Sequence, residues 1–115
     1  MTPARLARAQ GGFHVLSGVW PLVNRRSFEA ITGPKADVWL LQTVSGLLVV
    51  IGWAQTRGAG TDAGDALARR LGIGTAATLL VVDVSYAVPG RIRRIYLLDA
   101  AFQALWLTAW LRARP

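Results

Sequence analysis

Residues 38–54 read VWLLQTVSGLLVVIGWA and contain no charged side chain. A helix on the outside of a soluble bundle would carry a polar face, and this stretch has almost none. Trp39 and Trp53 stand at its two ends, where amphipathic rings sit at a membrane–water interface. The stretch predicts a membrane-spanning helix, opening at Gly33-Pro34 because proline favours the first helical turn.

The composition agrees with that reading. Of the 115 residues, 53% are hydrophobic and 17% charged, against roughly 25% charged in soluble domains. The net charge of +7 and pI near 11.5 would fit a nucleic-acid binder. The arginines, however, cluster between apolar runs and do not line one helix face, so they read as flanks of membrane spans, and nucleic acid is not expected as a partner. The chain has no cysteine, one histidine and one methionine, which excludes disulfides and leaves no cluster for a metal or a nameable cofactor. Twelve arginines to one lysine, with abundant alanine and glycine, match the bias of a GC-rich bacterial genome, placing the protein in a bacterial inner membrane.

Three further apolar runs extend the pattern. Residues 9–23 form the first, with a helix starting at Pro3 behind a Thr2 cap; Arg5 and Arg8 precede it as in a signal peptide, but no small-x-small cleavage site follows, so it reads as a retained span. Residues 71–88 form the third, ended by Pro89-Gly90, with a helix starting near Asp62. Residues 95–111 form the fourth, closed by Arg112 and Arg114. A short interfacial helix fits residues 27–31, and the glycine-rich TRGAGTDAG segment before the third run reads as irregular. The expected fold is all-α: a single domain over 1–115, an integral membrane four-helix up-down bundle with spans at about 9–23, 38–54, 71–88 and 95–111.

Polar residues inside these runs mark a candidate site. Asp83 precedes the end of the third run by five residues and Asp99 follows the start of the fourth by four, so both lie about 6 to 8 Å below one membrane face. An unpaired carboxylate at such a depth costs on the order of a few kcal/mol. Tyr86 is three residues from Asp83, Gln42 reaches the same depth on the second run, and Arg25, Arg26, Arg91, Arg93 and Arg94 stand above it as counter-ions, with Glu29 in the loop. A deeper layer holds His14, Gln103 and Thr78, with Ser17 and Ser45 nearer the face. On the fourth run Tyr96, Asp99, Gln103, Trp106 and Trp110 fall on one stripe, and Ala100, Ala104 and Thr108 form a ridge of small residues opposite.

These placements describe a polar intramembrane cavity that binds or transports a small amphipathic molecule or a lipid. Alternatively, the carboxylates only fix the hairpin between the last two spans, in an accessory subunit of a membrane complex. A membrane enzyme acting on a lipid-like substrate is a third class, to which paired carboxylates also lend themselves. Membrane lipids are expected partners.

Four spans in so short a chain, with near-balanced flanking charge, resemble the layout of small multidrug resistance transporters and of DoxX-like bacterial membrane proteins. The transporters rely on a glutamate in the first span, where this chain has His14, so no residue role is carried over. The phrases HVLSGVWPL and RSFEAITGPKADVWL resemble signature text of an uncharacterised bacterial family.

Four spans put both termini on one side. That side carries Arg5, Arg8, Arg57, Arg69, Arg70, Arg112 and Arg114; the other carries Arg25, Arg26, Lys35, Arg91, Arg93 and Arg94. So even a balance gives little orientation signal and allows an antiparallel homodimer. Single cysteines placed at each terminus should therefore show equal accessibility to an impermeant label. Opposite accessibility in every molecule would contradict the four-span layout.

Overall fold

The structure, a computed structural model, describes residues 1–113, so Arg114 lies outside the described residues. Within them it is all-helical: α1 (Pro3–Val23), α2 (Arg25–Thr32), α3 (Val38–Gly58), α4 (Asp62–Ala87) and α5 (Tyr96–Arg112). The five are the four long helices of the apolar runs and the short helix expected around residues 27–31. That short helix, α2, extends a little beyond those bounds at each end.

Local chemistry sets most of the ends. Thr2 Oγ1 accepts the Arg5 amide at 3.2 Å and Pro3 opens the first turn of α1, as expected. Thr61 Oγ1 accepts the Gly64 amide at 3.0 Å, and Asp62 and Asp65 place acidic groups at the positive end of the α4 dipole. Two expectations need correction. Gly33-Pro34 does not open α3: Gly33, at φ 99°, ends α2, a conformation that a Cβ would strain, and α3 begins only at Val38. Nor is the TRGAGTDAG segment irregular throughout. Helix α3 continues through Gly58 and α4 starts at Asp62, so the break is confined to Ala59, Gly60 and Thr61, where Asp65 Oδ1 accepts the Gly60 amide at 2.9 Å.

The long helices pack as two pairs, α1 on α3 and α4 on α5, joined through α3 with α4 and α1 with α4. Small residues bring the first pair together. A Cβ on Gly52 would come within 2.9 Å of His14 Cβ, and one on Gly11 within 2.7 Å of the Gly52 carbonyl oxygen, so the α1 and α3 backbones are nearly in contact. At one end the pairs close on a dry cluster of Leu6, Ala7, Ala68 and Trp110, which also puts the start of α1 beside the end of α5. At the other end they diverge, and α2 lies across the gap. The α5 stripe of Tyr96, Asp99, Gln103, Trp106 and Trp110 faces inward as expected; of the opposite ridge only Ala100 is buried, while Ala104 and Thr108 stay exposed.

Of the described helices, α3 alone is both long and apolar enough to cross a membrane. The other three fall short for identifiable reasons. Helix α5 has 17 residues, fewer than the roughly 20 that span a bilayer core. Helix α4 carries Asp62, Asp65, Arg69, Arg70 and Asp83, and α1 carries Arg5, Arg8, Gln10 and His14.

Close approach at Gly52 predicts a clear contrast. Gly52→Ala should lose about 1–3 kcal/mol through overpacking. Gly46→Ala, on the same helix with nothing within 4 Å of the added Cβ, should be neutral or gain up to about 1 kcal/mol. Thermal unfolding of the two variants in detergent checks the pair.

Candidate functional site

The divergence of the helix pairs leaves a cavity of about 420 Å3 between α1, α3, α4 and α5, roofed by Phe28, Ile31 and Thr32 of α2. Its walls are mainly aliphatic and aromatic, including Phe13, Trp20, Leu41, Val44, Leu48, Leu79 and Phe102. Polar groups are few: His14 and Ser17 from α1, Ser45 from α3, Asp83 from α4, and Asp99 and Gln103 from α5.

Below the cavity lies a hydrogen-bonded chain that joins all four long helices. The Trp110 indole N–H donates to Gln10 Oε1 at 2.6 Å, and Gln10 Nε2 donates to the Gly72 carbonyl at 3.1 Å. Gln55 Nε2 donates to Gln10 Oε1 at 2.9 Å and to the Ala68 carbonyl at 3.2 Å, leaving its Oε1 2.7 Å from His14 Nδ1. Every orientation here follows from the ends. An indole N–H only donates and a backbone carbonyl only accepts, so both amides can face one way only. Gln55 therefore presents oxygen to His14, Nδ1 must carry the proton, and Nε2 of the neutral ring is left as an acceptor. Gln10, His14, Gln55, Gln103 and Trp110 are all essentially inaccessible to solvent.

His14 Nε2 has no partner, and neither do Asp83 Oδ2 and Gln103 Oε1. The three residues come from three helices and line the same cavity. Asp83 and Asp99 face each other at hydrogen-bonding reach, and Asp99 Oδ1 in turn accepts Gln103 Nε2 at 3.1 Å. That bond uses the Gln103 amino group and turns its oxygen away. The shared depth read from the sequence thus brings Asp83, Asp99, Gln103 and His14 into one site.

Other expected members are not in it. Tyr86 is 45% exposed and does not line the cavity, because the inward stripe of α4 runs through Ala68, Gly72, Ala76, Asp83 and Ala87, so the four-residue step from Asp83 keeps the stripe and the three-residue step leaves it. Gln42 fails in the same way: from buried Ser45 the four-residue step back reaches Leu41 in the cavity wall, and Gln42 points outward. Thr78 faces a separate groove between α3 and α4 and donates to the Gly74 carbonyl at 2.8 Å. The expected arginine counter-ions are also elsewhere. Arg25, Arg26, Arg91, Arg93 and Arg94 are exposed, and the ion pair found among the described residues is Arg25 with Glu29, at 3.8 Å.

Two cations act on the roof instead. Arg93 Nη1 donates to the Ala30 carbonyl at 3.0 Å, and Lys35 Nζ donates to the carbonyls of Thr32 and Gly33 at 3.1 and 2.9 Å. Both neutralise the carbonyl end of α2. Lys35 Nζ also lies over the Tyr96 ring, 5.2 Å from its centroid, tying the roof to α5. The other end of α2 is held by Asn24, whose Oδ1 accepts the Ser27 amide at 3.1 Å, and by Trp20, whose indole donates to Ser27 Oγ at 2.9 Å.

No group of three or more histidine, cysteine, aspartate or glutamate side chains suited to a metal occurs among the described residues. No family model, curated protein or solved structure matches the chain.

The amide chain was not anticipated from the sequence, although Gln10 lies within the first apolar run and Gln55 directly follows the second. Gln10→Leu strips a partner from the Trp110 indole and from Gln55, and should cost about 2–4 kcal/mol of stability. Trp110→Phe removes one donor and leaves Gln10 Oε1 bonded to Gln55, so beyond its packing loss it should cost about 1 kcal/mol. Denaturant titration in detergent, with Gln42→Leu as the exposed control, reads the difference.

Proposed function

We propose that the chain is a small integral membrane protein of the bacterial inner membrane that holds a small amphipathic molecule or lipid in the cavity between its helices. In this reading α1, α3, α4 and α5 form a four-helix up-down bundle across the bilayer, and α2 lies at the interface over the cavity mouth.

Membrane residence is supported by where the apolar surface lies. Only 17% of the apolar window of α3 is buried, whereas the core helix of a soluble protein would be mostly covered. Leu16, Val23, Leu47, Val50, Val81, Leu105 and Leu111, drawn from all four long helices, are each more than half exposed. Apolar surface on every side of a small monomer fits lipid better than water. The shorter α5 can span where Arg112 at its end reaches to the interface.

Ligand binding rests on one observation: the unpartnered acceptors His14 Nε2, Asp83 Oδ2 and Gln103 Oε1 around a single apolar-walled cavity. Buried polar atoms are nearly always hydrogen-bonded, and leaving three unpaired would cost about 1–3 kcal/mol each. A purely structural carboxylate pair would instead be closed by the arginines, and these are occupied or exposed. Apolar walls with a few convergent polar groups are the ordinary make-up of a small-molecule site.

Filling the cavity tests this reading. Ser17 lines it and is only partly buried, so Ser17→Phe should fold and occlude the space. Native mass spectrometry of gently extracted protein should show a co-purifying small molecule on the wild type and its loss from Ser17→Phe. An unliganded wild type, or a ligand retained equally by both, would contradict the proposal.

A further inference from the structure

The unpartnered buried atoms at the cavity are one-sided in their chemistry. His14 Nε2 is an acceptor because the Gln55 oxygen claims the proton on Nδ1. Gln103 Oε1 is an acceptor because the amino group of that amide is committed to Asp99. Asp83 and Asp99, at hydrogen-bonding reach, share one proton between them, which leaves the unpartnered Asp83 Oδ2 as an acceptor. All three atoms are buried and free, on residues 0%, 1% and 4% accessible for His14, Gln103 and Asp83 respectively. The remaining free buried atom, Trp106 Nε1, is a donor, but Trp106 does not line the cavity. Lys35, at the roof, spends its N–H groups on Thr32 and Gly33.

Resting on the reading of the cavity as a ligand site, we propose that its occupant is a primary ammonium group carrying an apolar body. The three N–H donors of such a head are directed to Asp83 Oδ2, His14 Nε2 and Gln103 Oε1, and the body lies among Phe13, Leu48, Leu79 and Phe102. Three acceptors around one cavity favour an occupant rich in donors, and a primary ammonium supplies three N–H groups from a single atom. An alcohol supplies one. A quaternary ammonium supplies none, and its methyl groups would leave every acceptor unpaired. A carboxylate or phosphate would set acceptor against acceptor beside two aspartates. The ionised donor makes all three bonds charge-assisted, the stronger kind, and its positive charge offsets the single negative charge of the Asp83–Asp99 pair.

The probe is octylamine, titrated calorimetrically into the protein in phosphatidylcholine nanodiscs, with empty discs subtracted for partitioning. A saturable site is expected, with octanol and octyltrimethylammonium weaker by about tenfold or more, since each lost charge-assisted bond of about 1.5–3 kcal/mol is worth that much. Octanoate should neither bind saturably nor displace octylamine. Asp83→Asn and Gln103→Met should each weaken octylamine by about fivefold or more, and Asp83→Asn the more of the two. Melting curves confirm folding; if Asp83→Asn does not fold, Gln103→Met and the analogue series on the wild type still decide. Competition that appears in phosphatidylethanolamine discs would support the amine site and show a lipid headgroup as its source; its absence would support a free amine. Octanol or octyltrimethylammonium binding as tightly as octylamine, and blocked by Ser17→Phe, would overturn the ammonium assignment and leave the ligand cavity standing. No saturable binding by any probe would overturn both.

Discussion

The chain of hydrogen bonds from Trp110 through Gln10 and Gln55 to His14 is the constraint on which the remaining architecture depends. It draws at least one side chain or carbonyl from each long helix, and its two amides are oriented by groups that can bond in only one sense. In the proposed bilayer setting, apolar helices would have no hydrophobic drive to associate in a given register, so packing and polar contacts between helices would fix it. Here that register is set at the closed end, where Gly72 leaves room for the Gln10 amide and the Trp110 ring to lie against α4. Any slip along α1 would leave several buried donors and acceptors without partners at once.

The closed end and the open end divide the labour. Leu6, Ala7, Ala68 and Trp110 exclude solvent and hold the helices together, so the opposite end can diverge without the bundle losing its arrangement. His14 stands at the boundary with one nitrogen committed to each side. The rigid amide chain thereby sets the chemistry of the cavity, since it decides which imidazole nitrogen offers a lone pair there. The roof is held differently, by Arg93 and Lys35 on the carbonyl end of α2, the first contact exposed and the second only partly buried, unlike the fully buried chain.

Much of the helical layout was legible because apolar runs, caps and breakers act locally: Thr2, Thr61 and Pro89 do in the structure what their types predict. The inward stripe of α5 was legible because five bulky or polar residues share one spacing. What escaped was angular. Tyr86 and Gln42 were placed by depth and by three-residue spacing, and depth along a helix axis does not decide which way a side chain points. Small residues set the buried stripes of α4 and α1, and alanine and glycine carry no hydropathy signal strong enough to mark a face. The arginine counter-ions were expected on electrostatic grounds. The structure instead spends Arg93 on a helix end, which no spacing in the sequence could reveal. Gln10, Gln55 and Trp110 lie far apart in the chain, and their meeting depends on the tertiary fold alone.

The link between the amide chain and the cavity can be read directly from the imidazole. Two-bond proton–nitrogen correlation spectra of protein carrying 15N-labelled histidine, recorded in mildly alkaline buffer, report the tautomer of His14, the single histidine of the chain. A proton on Nδ1 and a bare Nε2 is the result expected, with Gln55→Leu releasing the ring to a mixture of tautomers. A proton fixed on Nε2 in the wild type would contradict the orientation of both amides and with it the acceptor-lined floor of the cavity.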